Sequence, residues 1–199
     1  MLFNSFHYLA FFPLVLAVYF LTPVRFRWAP LLLASCYFYM AFIPRYILVL
    51  FAIILIDYFA AIAMEGLHDK PAKKRLLLLV SIAANLGILC VFKYFNFFAD
   101  NLNSLTGHKL VPELGLILPI GLSFHTFQSL SYTIEVYRGH VPAERHLGIY
   151  ALYVLYFPQM VAGPIERPQN ILPQLHTVHR FSHQRAVSGM RLILFGFVK

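Results

Sequence analysis

Residues Leu118–Gly139 read LPIGLSFHTFQSLSYTIEVYRG, and the reading of this stretch decides the fold. It is long enough to cross a bilayer as a helix, yet it carries hydroxyls, a histidine, a glutamine and a glutamate. At about 3.6 residues per turn, Ile120, Phe127, Leu130, Ile134 and Tyr137 fall on one side. His125, Gln128, Tyr132 and Glu135 fall on the other, within roughly a quarter of the circumference. Such groups are expensive against lipid, so their face must look into protein or water. A mostly apolar chain with one wet helix face implies a cavity, and the rest of the chain reads as its walls.

Composition supports this setting. The chain has 199 residues, 60% of them hydrophobic and 12% charged, against about 45–50% and about 25% in soluble domains. The expected fold class is all-α, a polytopic transmembrane helical bundle. The net charge of +8 does not point to nucleic acid, because the basic residues sit in loops and mark the cytoplasmic side. Cys36 and Cys90 lie inside apolar runs, where cysteine acts as a small packing residue, and no CxxC pair is present.

Working outward to the amino-terminal side, the loop Asp100–Glu113 is polar and nearly charge-balanced, as an outer loop should be. A fourth span, Leu76–Phe98, holds Asn85, Lys93 and Asn96, with Lys93 near enough to the outer end to snorkel. The loop Glu65–Arg75 is cytoplasmic by its lysines and arginine. The third span, Tyr46–Met64, carries Asp57 near its middle, either as polar lining of the cavity or as a hydrogen-bond anchor between helices. The second span is Trp28–Ile43. The first is Met1–Leu21, interrupted by Pro13 and followed by Arg25 and Arg27, which places the amino terminus outside. Pro119 suits the first turn of the central helix and Gly139 its carboxyl cap.

Working outward to the other side, Arg138 and Arg145 put the end of the central helix in the cytoplasm. The next apolar run, Leu147–Gly163, should cross outward, but Pro158 and Gln159 break it. Arg167, Arg180, Arg185 and Arg191 then follow, the wrong charge for an outer loop. The run therefore dips into the membrane and returns, or passes as broken half-helices buried in protein. Ile171–Arg185 is basic with interspersed apolar residues and is expected to be an interfacial helix. Ala186–Val198 is 13 residues, short of the roughly 20 a span needs, so the chain is expected to be the amino-terminal part, as a single multi-pass domain over 1–199, of a longer protein.

The common catalytic fingerprints are missing: no G-x-S-x-G, P-loop, G-x-G-x-x-G or H-E-x-x-H occurs. His176, His179 and His183 have helical spacing. They lack a nearby cysteine or carboxylate to complete a metal shell, so no metal is expected there and a titratable interfacial face is the simpler reading. His125 is open to two readings, a general base steered by Gln128 and Tyr132 or a buried, satisfied histidine lining a pocket.

LPIGLSFHTFQSLSY over 118–132, EVYRG over 135–139 and YFPQMVAGPI over 156–165 closely resemble the membrane-bound O-acyltransferase (MBOAT) family, in particular its alginate-acetylating bacterial branch. The opening MLFNSFHYLAFFPLVLAVYFL and FKYFNF over 92–97 fit as well, so the resemblance covers the whole chain. It implies a multi-pass enzyme of the bacterial inner membrane that moves an acyl group, expected to be acetyl, towards hydroxyls of an exported polysaccharide such as alginate, through an outer-side acetyl-transfer partner protein. The donor, acetyl-CoA or another acyl carrier, would be a co-substrate, with no bound cofactor. The family's catalytic histidine sits in tryptophan-rich motifs. Trp28 is the one tryptophan here, so that histidine is expected beyond Lys199 and no catalytic residue is assigned to this chain. The resemblance and the polar helix together make His125, Gln128, Tyr132, Glu135, Pro158, Gln159, Gly163 and Pro164 the expected channel lining. D-alanyl transfer to a cell-wall polymer and a polytopic transporter are the competing readings.

Overall fold

The computed structural model describes residues 3, 5–42, 44–67, 69–108, 111–112, 114–115, 118–119, 121–160 and 163–198. Ile120, counted above on the apolar side of the central stretch, lies outside them, as do Met1, Ile43, Glu113 and Lys199 at the ends of expected segments. The described residues form eight α-helices and two short 3₁₀ turns, with no strand among them. The helices are α1 (Phe6–Leu21), α2 (Trp28–Met40), α3 (Ile47–Glu65), α4 (Pro71–Thr106), α5 (Leu122–Arg138), α6 (Leu147–Leu155), α7 (Pro168–His176) and α8 (His183–Val198).

The apolar runs become helices because their own backbone is the partner that the side chains cannot supply. α4 is longer than its apolar run at both ends. It starts at Pro71, a residue suited to a first turn, takes in the charged Lys73–Arg75 stretch and continues to Thr106. Lysine and arginine are good helix formers, so this part of the expected loop is helix. At 36 residues α4 is about 54 Å long, well beyond a bilayer core of about 30 Å. Asn96 and Asn103 each bond the backbone of the chain that follows α4, at Leu114 and Val111.

The central helix begins later than expected. Pro119 lies before it, and Gly121 precedes Leu122 with φ at 76°. Gly139 ends it with φ also at 76°, its N–H bonded to Glu135 and Val136 carbonyls, as the sequence predicts. α3, α4 and α5 pack on one another, α6 packs between α2 and α3, and α7 lies against α5 and α6. Phe38, Leu50, Ile53, Ile54, Leu122 and Leu155 are among the fully buried side chains at their contacts.

Two segments, Pro44–Glu65 and Pro71–Thr106, are long and apolar enough to cross a membrane, and Phe6–Leu21 is a shorter apolar helix. α2 and α6 have 13 and 9 residues, shorter than the spans expected from their sequences. Leu76, Leu79 and Val80 on α4, Leu48 and Phe59 on α3 and Leu14 on α1 are all more than half exposed. Cys90 is exposed on α4 and so does not pack internally, whereas Cys36 is half-buried.

The run after α5 is broken, as its prolines require. α6 stops at Leu155, turns occupy 157–160, and α7 starts at Pro168. The expected helix over 171–185 is not continuous. α7 ends at His176, Thr177 is extended with its N–H on the Gln174 carbonyl, and α8 opens at His183. His176, His179 and His183 therefore fall on a helix end, a non-helical link and a helix start, and do not share a helix face.

Candidate functional site: a cavity beside an in-and-out segment

Residues 147–176 enter the bundle and return to the end they left. α6 starts beside the loop 139–146, which is held by side chains of α3 and α5. Ala143 N–H donates to Glu65 at 2.9 Å, Arg145 pairs with Glu65, Tyr58 donates to the Arg145 carbonyl at 2.6 Å, and Glu144 N–H donates to the Tyr132 hydroxyl at 2.8 Å. At the inner end, His125 Nδ1 lies 2.8 Å from the Val154 carbonyl in the last turn of α6. The chain then reverses. Glu166 N–H donates to Gln128 Oε1 at 3.1 Å, Gln169 donates to Glu135 at 2.6 Å, and His176 meets Glu144 at 2.6 Å. Arg27 closes the return, donating to the His179 carbonyl at 2.6 Å while its guanidinium rests on Tyr19 and Phe20.

Between this segment and α1–α2 lies a cavity of about 1000 Å³. It is lined by the basic Arg25, Arg27, His176 and His179, by the largely apolar Trp28, Leu31, Ile149 and Leu152, and by the polar Tyr156, Gln159, Glu166 and Gln169. A chamber of this size suits a drug-sized ligand. Arg27, Trp28, Glu166, Gln169 and Asn170 were missed from the sequence. For the last three a signal existed: polar residues at 166, 169, 170 and 174 recur at i, i+3, i+4 and i+8, one face of a short helix.

Of the eight residues expected to line a channel, Gln159 lines this cavity. His125, Gln128 and Tyr132 are fully buried against α6 and the returning segment and are not among the residues that line this cavity. Glu135 is at the loop end of α5, bonded to His140 at 2.8 Å and to Gln169. Pro158 and Gly163 are half-buried in the turn region, and Pro164 is exposed. On the polar face of α5, Gln128 takes the Glu166 N–H of the returning segment at its side-chain oxygen and the Tyr153 hydroxyl of α6 at its backbone carbonyl.

His125 fits neither sequence reading fully. A carbonyl can only accept, so Nδ1 carries the proton and Nε2 keeps a lone pair. That Nε2 is buried and has no hydrogen-bond partner. Asp57, by contrast, is an anchor. It is fully buried and accepts from Ser81 and Ser129 hydroxyls and, at 2.9 and 3.0 Å, from the Asn85 amide. Ser129 also meets the Tyr150 hydroxyl at 2.7 Å. The network ties α3, α4, α5 and α6 together and does not border the cavity.

No family model and no solved structure matches the chain significantly. Curated relatives do. A probable alginate O-acetylase of Pseudomonas putida is 37% identical over 198 residues, covering 95% of this chain and 39% of its own length. A probable alginate O-acetylase of Pseudomonas aeruginosa is 35% identical over 198 residues, 95% of this chain and 37% of its own. A peptidoglycan O-acetyltransferase of Helicobacter pylori is 31% identical over 195 residues, 85% of this chain and 37% of its own. The chain thus spans less than two-fifths of the length of the curated relatives it matches. What the motifs resemble, the comparisons bear out: over nearly its whole length this chain is homologous to part of the bacterial O-acetylases.

Proposed function

We propose that the protein containing this chain is a multi-pass O-acetyltransferase of the bacterial inner membrane, and that this segment forms one wall of the passage by which an acetyl group reaches hydroxyls of an exported polysaccharide. The observation that carries the reading is 37% identity to an alginate O-acetylase over 95% of the chain. The exposed apolar side chains of α1, α3 and α4 suit lipid contact. Arg25, Arg27, the Lys73–Arg75 stretch, Arg138 and Arg145 gather at one end, which is the cytoplasmic end by the positive-inside rule. Arg25, Arg27, His176 and His179 line the cavity at that end, so a donor such as acetyl-CoA or another acyl carrier would enter there, and an outer-side partner would complete the transfer.

Alginate is the favoured acceptor, since relatives named as alginate O-acetylases are 33–37% identical. Peptidoglycan is a second acceptor class, favoured by the Helicobacter pylori relative. The test is deletion of the full-length gene in the organism that encodes it, followed by measurement of ester-linked acetate in both polymers. Acetate should fall in the exopolysaccharide and return on complementation. Unchanged acetate in both polymers contradicts the proposal, and a fall confined to peptidoglycan moves the acceptor assignment.

A further inference from the structure

Six buried side-chain polar atoms among the described residues have no hydrogen-bond partner in the protein: Tyr39 Oη, Asn85 Oδ1, His125 Nε2, Thr126 Oγ1, Gln128 Nε2 and Gln169 Oε1. Buried polar atoms are normally paired, so each unpaired one calls for a reason. Their placement is uneven. His125 and Gln128 belong to the face of α5 that meets the in-and-out segment, and Gln169 belongs to that segment. The Tyr39 ring packs edge-on against His125, centroids 6.1 Å apart. Four of the six therefore follow one seam.

The seam also adjoins the cavity. Gln169 and Glu166 line the cavity, and Glu166 N–H bonds Gln128. Tyr156 and Gln159 also line the cavity, and in the same turn the Met160 carbonyl approaches α5: a Cβ placed on Gly121 would stand 3.2 Å from that oxygen and 3.3 Å from His125 Nε2. A single turn of chain separates the cavity from the unpaired imidazole nitrogen.

We propose that the seam between α5 and the in-and-out segment is a hydrated extension of the cavity, in which water bonds Gln169 Oε1, Gln128 Nε2, His125 Nε2 and the Tyr39 hydroxyl. The chemistry matches at each point. Amide Nε2 donates, amide Oε1 and the imidazole lone pair accept, and a phenol does either, so water satisfies all four. Tyr150 provides the contrast, because it is equally buried but bonded to Ser129. The proposal rests on the passage reading for what the water serves, but its test needs no acetyl transfer.

That test is radiolytic footprinting of the full-length protein in lipid nanodiscs, in which hydroxyl radicals made from water oxidise the side chains beside it. Tyr39 and Tyr150 form a matched pair, the same residue type at 2% and 0% exposure. The expected result is oxidation of Tyr39 several-fold faster than Tyr150, with His125 oxidised alongside Tyr39. Tyr39 and His125 as inert as Tyr150 would overturn the hydrated seam. Acetate assays on the deletion strain decide the enzymatic reading separately, so either can fail without the other.

Discussion

Asp57 shows how a single costly residue is made stable inside this bundle. A carboxylate at the centre of an apolar helix requires donors, and here three come from helices that the chain reaches 24, 28 and 72 residues later. Truncation removes three donors' hydrogen bonds to a charged group, at about 1.5–3 kcal/mol apiece, although Ser129 keeps Tyr150 and Asn85 keeps the Ser81 carbonyl. Asp57→Ala is therefore expected to destabilise the full-length protein by about 3 kcal/mol or more, and Asp57→Asn by roughly half, because its one oxygen still accepts. Denaturant unfolding in detergent measures both; an Asp57→Ala protein as stable as its parent contradicts the anchor. The need for partners was legible in the sequence, since an intramembrane aspartate without them is too expensive. Which partners it found was not, because nothing local links Ser81, Asn85 and Ser129 to position 57. His125 divides the same way: its burial could be expected, but the carbonyl that fixes its tautomer belongs to another helix.

Among the elements, α3 was readable almost to the residue and α5 at its carboxyl end, because apolar run length and the Gly139 cap are local signals, whereas α5 opens after Gly121 and not at Pro119. α6 and α7 were readable only as a break. The prolines at 158, 164 and 168 forbid a continuous helix, but where the chain turns depends on contacts with α2 and α5. The α7–α8 boundary had a local signal that the apolar-basic pattern hid: Ser182, whose carbonyl accepts from Ala186, stands where a helix cap belongs. The α2–α6 contact offers a direct check on the packing. Gly148 lies under the Trp28 ring, where an added Cβ would stand 2.6 Å from Cε3 and 2.9 Å from Cη2. Gly148→Ala should lower stability by about 1–3 kcal/mol through overpacking. Combined with Trp28→Leu, its cost should be less than additive, since the clash is with the ring being removed. Full additivity in the double-mutant cycle would show that the two residues do not touch.

For the whole molecule, one arrangement organises the rest: the basic loops share an end, and the segment over 147–176 begins and finishes there. The charges predict the shared end, and the prolines predict the interruption. The return itself was left open by the sequence, because broken half-helices crossing the bilayer would carry the same residues. In the structure His176 meets Glu144, and Arg27 meets the His179 carbonyl, so both arms are drawn to one face. The measurement that tests this most directly is side-specific labelling of single cysteines at Arg138, Arg180 and Ser104, all exposed, in a cysteine-free full-length background, with a membrane-impermeant maleimide. Positions 138 and 180 should react in inverted vesicles and not in spheroplasts, with 104 showing the opposite pattern. Labelling of 180 from the outer side while 138 labels from the inner side would contradict the in-and-out segment.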